Sequence, residues 1–352
     1  MRPMRHSSIA PPSQRRSAAL PRPAAHLIAA LLGLAAVLPA PVLAVEETDA
    51  EPVPDPLSLE QALSFAQDHP RVRARPAATD TSEPRALPLD LPRPQPLYLG
   101  CHSLAFSGAR PSDAARDVAW SELLDPEDAQ RLEIMQRFFD VLLADLSFAR
   151  DNEAMAVAFI QFDRAEARGE LGQFSALQIA ALQAKYQLIR RQRAAAEAAQ
   201  RVTRSLLAGA LGHPESLPRD LVTPELDPQL SEPPGLEQVV ARALDQNPRV
   251  KALMKDANEA EQALIRAALR EQALELLTRL DLLAVVAEHA RTESDWRDLK
   301  LDESRTLYEL EATSDLGYSM SQQTKARRDE RKTAFCQRLT QAELNALQGL
   351  AP

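Results

Sequence analysis

The residues able to hold a metal or attack a substrate are few and badly spaced for either task. His69, His102, His213 and His289 are far apart, and none stands at ligand spacing from another or from a cysteine. Cys101 and His102 are neighbours, so both cannot easily face one site. No nucleophile elbow, phosphate-binding glycine loop or zinc-protease helix is present. Carboxylates abound, but beside so much arginine they read as solvated faces and i,i+4 pairs. The pattern predicts no catalytic residue, no metal or cofactor site, and no enzyme.

What could position side chains here is mostly helix. Hydrophobic residues make up 45% of the 352, aromatics only 4%, and glycines number 10. A mix dominated by Ala, Leu, Gln, Glu and Arg favours long helices packed through small residues. The 27 prolines cluster before Pro96 and between Pro214 and Pro248. Residues 1–44 read as a secretory leader: Arg2, Arg5, Arg15, Arg16 and Arg22, an apolar run over 24–38, then Val42-Leu43-Ala44 as a small-residue cleavage site. That run is shorter than the ~20 residues a membrane anchor needs. Removing five of the 41 basic residues leaves 36 against 50 acidic ones, a balance that disfavours nucleic acid. An exported chain would take Cys101 and Cys336 into an oxidising compartment, where they could pair or remain two free thiols.

Residues 45–56 are an acidic, Pro-rich lead-in, and 57–72 a short amphipathic helix with Leu59, Ala62, Leu63 and Ala66 on one side. A Pro-rich linker fills 73–124, where 97–106 is the one plausible strand. Asp125-Pro126 opens the first long helix, with Glu127 and Asp128 complementing its dipole. Leu132, Met135, Phe139, Leu142, Leu146, Ala149, Glu153, Ala156 and Ile160 form a seam, and Phe138, Val141, Met155, Phe159 and Phe162 a second stripe beside it. Two stripes imply more than one neighbour, and self-association is the expected cover for the excess. The helix ends near Gly169, a turn through Leu171-Gly172 follows, and Ser175 caps the return. The return seam reads Leu177, Ala181, Ala184, Leu188, Arg191, Ala195, Ala198 and Val202, which places Phe162 near Leu182 and Leu142 near Val202. This hairpin spans 125–212.

After a second Pro-rich linker, 213–234, the pattern begins again over 235–348. Residues 62–74 and 240–252 align without gaps over thirteen positions and share Pro-Arg-Val. Another long helical stretch covers 252–312, Asp315-Leu316-Gly317 repeats the turn of Leu171-Gly172, and a last helix returns over 321–347. The expected fold is all-α: two long antiparallel helical hairpins from an internal duplication. Leu171 and Leu316 should lie at the same end.

Glu60-Gln61-Ala62-Leu63 with His69-Pro70-Arg71-Val72, and Gln238-Val239-Val240-Ala241 with Asn247-Pro248-Arg249-Val250, resemble the opening signatures of the repeats in the outer-membrane efflux protein family, typified by TolC. Residues 136–212 and 301–347 are similar to that family's long-helix hairpins. The resemblance covers roughly 57–347 apart from 73–124. It implies a homotrimer in the outer membrane or periplasm, with four barrel strands per protomer and a periplasmic helical tunnel. The tunnel's tip would meet an adaptor protein and an inner-membrane pump.

The sequence departs from the family twice. Each family repeat carries a β-hairpin between its opening helix and its return helix. Neither interval here holds two alternating segments of ~9–11 residues, the length of a spanning strand. Family members also place carboxylates one turn past the hairpin glycine, where three copies make a cation-binding ring. Gln178 and Gln323 stand there instead, so the tip positions are Leu171, Gly172, Gln178, Leu316, Gly317 and Gln323, without that charge.

Overall fold

Four long helices lie side by side in one row, and the sequence chemistry at their ends explains where each begins and stops. The computed structural model describes residues 53–73, 95–108, 123–213, 217–226, 234–310 and 316–352. The leader, most of the acidic lead-in, most of the 73–124 linker and the second turn at 311–315 lie outside the described residues.

The elements are α1 (Leu59–Ser64), continued by a 3-10 turn (Phe65–Asp68), α2 (Pro70–Arg73), α3 (Cys101–Ala105), α4 (Pro126–Glu170), α5 (Ala176–Leu211), α6 (Leu236–Gln246), α7 (Pro248–Asp256), α8 (Glu259–Glu309) and α9 (Leu316–Leu347). Among the described residues there is no strand. Leu57 and Leu221 form one isolated parallel bridge. The all-α fold of long packed hairpins is therefore the observed one.

Asp125 caps α4 by accepting from the Glu127 N–H at 3.0 Å, with Pro126 in the first turn. Ser175 and Gln178 close α5 with a reciprocal capping box. The helix expected over 252–312 is interrupted at Ala257, where α7 ends and Asn258 caps α8 with its own box through Glu261. The last helix starts five residues earlier than expected, at Leu316.

Helix α4 runs antiparallel to α5 in the expected register: Gln161 bonds Lys185, Asn152 bonds Arg193 and Asp145 bonds Gln200. Its other side meets α9, through Glu153 with Thr324 at 2.6 Å, Ser147 with Arg328 at 2.7 Å, and Phe139 stacked on Phe335 at 4.5 Å. Helix α9 in turn pairs antiparallel with α8, where Ser304 bonds Ser319 at 2.7 Å. The order across the row is α5, α4, α9, α8.

The two stripes on α4 engage two neighbours, α9 and α5. Phe139 and Glu153 of the first stripe face α9, and Phe159 and Phe162 of the second pack on Tyr186 of α5. Both neighbours belong to the same chain, and they leave Phe159 and Ile160 of α4 about half exposed. One expectation is corrected, because the return seam is turned: Leu177, Ala181, Ala184, Leu188, Arg191, Ala195, Ala198 and Val202 all face outward, and Ala196, Ala199, Thr203, Leu207, Ala208, Ala210 and Leu211 are the buried ones. Alanine is so frequent around α5 that apolar spacing fits two faces, and Phe159 and Phe162 select the one carrying Tyr186.

The duplication is structural as well as sequential. His69 and Asn247 each precede Pro-Arg-Val and cap the helix it begins: His69 Nδ1 accepts from the Arg71 N–H at 3.1 Å, Asn247 Oδ1 from Arg249 at 2.9 Å and Val250 at 3.1 Å. Each then reaches the end of its repeat's last helix. His69 Nε2 contacts the Gly209 carbonyl at 3.2 Å, and the Asn247 amide donates to Leu347 and Leu123, both at 3.0 Å. Those helices end alike on Gly212 (φ 87°) and Gly349 (φ 75°), left-handed positions that favour glycine. At Gly349 a Cβ would also come within 2.7 Å of the Gln246–Asn247 backbone. The sequence match of the two openers thus marks two equivalent joints, where most of the core lies.

Candidate functional site

The six tip positions do not come together. Leu171 is exposed at the turn between α4 and α5, and Gly172 closes that turn by donating to the Gly169 carbonyl at 2.9 Å. Gln178 is the capping-box partner of Ser175, accepting from its N–H at 2.9 Å. An amide at this position is explained by helix closure alone.

In the second hairpin Leu316 and Gly317 are already in the first turn of α9, not in the turn before it. Gly317 lies against Val157 of α4 so closely that a Cβ would stand 2.6 Å from Cγ2. Gln323 bonds Asp298 across to α8. The start of α9 is not level with the turn of the first hairpin. From Val157 the helix α4 continues to Glu170, about 20 Å farther at ~1.5 Å per residue. The first hairpin projects well past the start of α9.

The segment 97–106 is not a strand. Leu97, Tyr98 and Leu99 donate their N–H groups to the buried carboxylate of Asp140 on α4, at 2.8, 2.7 and 3.1 Å, and α3 follows from Cys101. A carboxylate takes the hydrogen bonds that a neighbouring strand would have taken. Cys101 and Cys336 form a disulfide with Cα atoms 5.1 Å apart, tying α3 to α9. Both sulfurs are buried.

Beneath α3, Arg279 is fully buried and forked between Glu275 at 2.6 Å and the equally buried Glu343 at 2.9 Å. Burial works against its charge, but Glu343 and Glu275 outweigh it and raise its pKa. Other perturbed groups are scattered. Burial, reinforced by the charge of Asp125, pushes Asp128 up to about 6 at the start of α4. Burial raises Tyr98, with Asp151 adding to it, and burial lowers Lys332 on α9. Asp140, Arg279 and the disulfide were not recognisable as a set, because 97–106, 140, 279 and 336 are distant in sequence.

Among the described residues, the outer edges of the row carry exposed apolar side chains. On α5, Leu177, Leu188 and Val202 are 81%, 48% and 47% exposed. On α8, Leu264, Leu274, Val285, Trp296 and Leu299 are exposed too. Several stand eleven residues apart (177 and 188; 274, 285 and 296), which is three turns and therefore one face.

No protein-family model and no curated protein matches the sequence. Among solved structures the chain is similar to CusC, from work on the conformational changes accompanying its folding and transmembrane channel formation. Identity is 11% and the TM-score 0.50, over 83% of this chain and 96% of that one. The chain shares the CusC fold. A membrane protein from Pseudomonas aeruginosa is also similar, at 14% identity and a TM-score of 0.42, over 71% of this chain and 72% of that one.

Proposed function

We propose that the chain is an exported helical component of a TolC-like outer-membrane efflux or transport assembly, a scaffold rather than a catalyst. The observation carrying this is the row of four helices with an uncovered apolar stripe on each edge, α5 and α8. Two different edges on one chain make a head-to-tail contact, and repetition of that contact closes a ring if the rotation fits. Three copies is the number the family resemblance implies. The buried Cys101–Cys336 disulfide suits an oxidising compartment outside the cytoplasm. The projecting tip around Leu171 is the part free to meet an adaptor of an inner-membrane pump.

Among the described residues the chain contributes helices and no barrel strand. In the second repeat α7 and α8 occupy the interval in which the family resemblance places a β-hairpin. No described helix is long and apolar enough to cross a membrane either. A barrel, where the assembly needs one, would come from a complete relative. The second reading, a periplasmic coiled-coil binding or structural protein derived from the same scaffold, rests on that same helical interval.

Light scattering tests the edge contact. At micromolar concentration the purified chain is expected to run as a small multiple of its monomer mass. Leu188→Glu and Val285→Glu, one on each edge, should each shift it to monomer by placing a charge in an apolar contact. A wild-type monomer that binds no hydrophobic dye would sink the scaffold reading.

A further inference from the structure

Between α8 and α9 the helices part around a cavity of about 540 Å³. Its apolar wall is Val286 and Ala290 of α8, Ala326 of α9 and Leu104 of α3. Small side chains at 290 and 326 leave space that larger ones would fill. The volume falls within the ~300–1,000 Å³ typical of small-molecule sites.

The charges around it are unbalanced. Lys325 and Lys332 both line the cavity, two turns apart on one face of α9. Among the described residues neither makes an ion pair or a hydrogen bond. His289 lines it as well. The two lining carboxylates are engaged: Glu293 with Arg297 at 2.8 Å, and Asp329 with Arg328 at 2.7 Å. Lys332 is half-buried, and burial, then the charge of Arg328, holds its ammonium below the usual lysine range, against the opposing pull of the Asp329 and Asp140 carboxylates. An ammonium partly removed from water and without a direct ion pair is stabilised by an anion that supplies one.

We propose that this cavity binds a single-chain amphiphilic anion, a fatty carboxylate, with its chain along Leu104, Val286, Ala290 and Ala326 and its carboxylate on Lys332 and Lys325. The apolar wall alone would accept any hydrocarbon, and the lysines alone any small anion. Only a molecule carrying both satisfies both parts of the lining. The site lies between the arms of the second hairpin, away from the edges of the row.

Calorimetric titration of the full chain with sodium decanoate, 1-decanol and sodium acetate tests this. Decanoate is expected to saturate one site per chain, decanol to bind at least ~10-fold more weakly, and acetate not to bind measurably. Lys332→Met should weaken decanoate about 10-fold and leave decanol unchanged. Ala326→Phe, which fills the cavity, should remove both, with circular dichroism confirming the fold. Equal affinity for decanoate and decanol, indifference of decanoate to Lys332→Met, or no saturable site would each overturn the proposal.

Discussion

Replacing Cys336 with serine is expected to destabilise the fold by about 3–5 kcal/mol. The Cys101–Cys336 bond closes a loop with a sequence separation of 235, so its absence restores a large conformational entropy to the unfolded chain. The loss also releases α3, whose attachment otherwise rests on the Asp140 hydrogen bonds to residues 97–99 and on packing over α8. Urea unfolding should show the wild-type midpoint falling on reduction towards that of the serine variant, while the variant itself ignores reductant. Thiol titration of unfolded, unreduced protein should find no free cysteine. Two free thiols would contradict the disulfide.

An effect of similar size is expected at Arg279. Its guanidinium and the Glu343 carboxylate are each 1% exposed and 2.9 Å apart. Arg279→Met leaves Glu343 buried without its principal counter-charge, and breaking such a pair costs about 3–5 kcal/mol. The double variant Arg279→Met with Glu343→Leu should recover most of the loss, because it removes both desolvated charges at once. Equilibrium unfolding of the two single variants and the double variant measures the coupling. Additive losses would show that the two side chains do not act as a pair.

Much of the architecture could be read from the sequence because it is written in local chemistry. Asp125-Pro126 and Ser175 start their helices where expected, and Gly212 stops one. The paired Pro-Arg-Val segments located the two joints, although nothing in them announced that His69 and Asn247 would each grip the end of a long helix. The face of α5 was not legible. Alanine at 181, 184, 195, 196, 198 and 199 gives no contrast between inward and outward, and the aromatic residues on α4 decide the rotation.

The segment 97–106 misled for a related reason. Residues 97–99 resemble a strand in composition, but the backbone bends at 97 and 98, and the partner that fixes it is Asp140, some forty residues away. Gln178 and Gln323 were singled out by analogy with a charged ring. In the molecule one closes a helix and the other bonds Asp298. Long-range pairing of single polar residues leaves no periodic trace in a sequence, so the buried cluster around Arg279 was equally invisible.

Alkaline carbonate extraction of envelopes from cells producing the full-length chain tests the central claim most directly. A chain that lends helices to an exported assembly, with no barrel of its own, should leave with the envelope fraction and then be released into the carbonate supernatant. Its disulfide should be intact. Retention in the carbonate-washed membrane pellet would mean that the chain inserts through strands of its own, and would contradict the account.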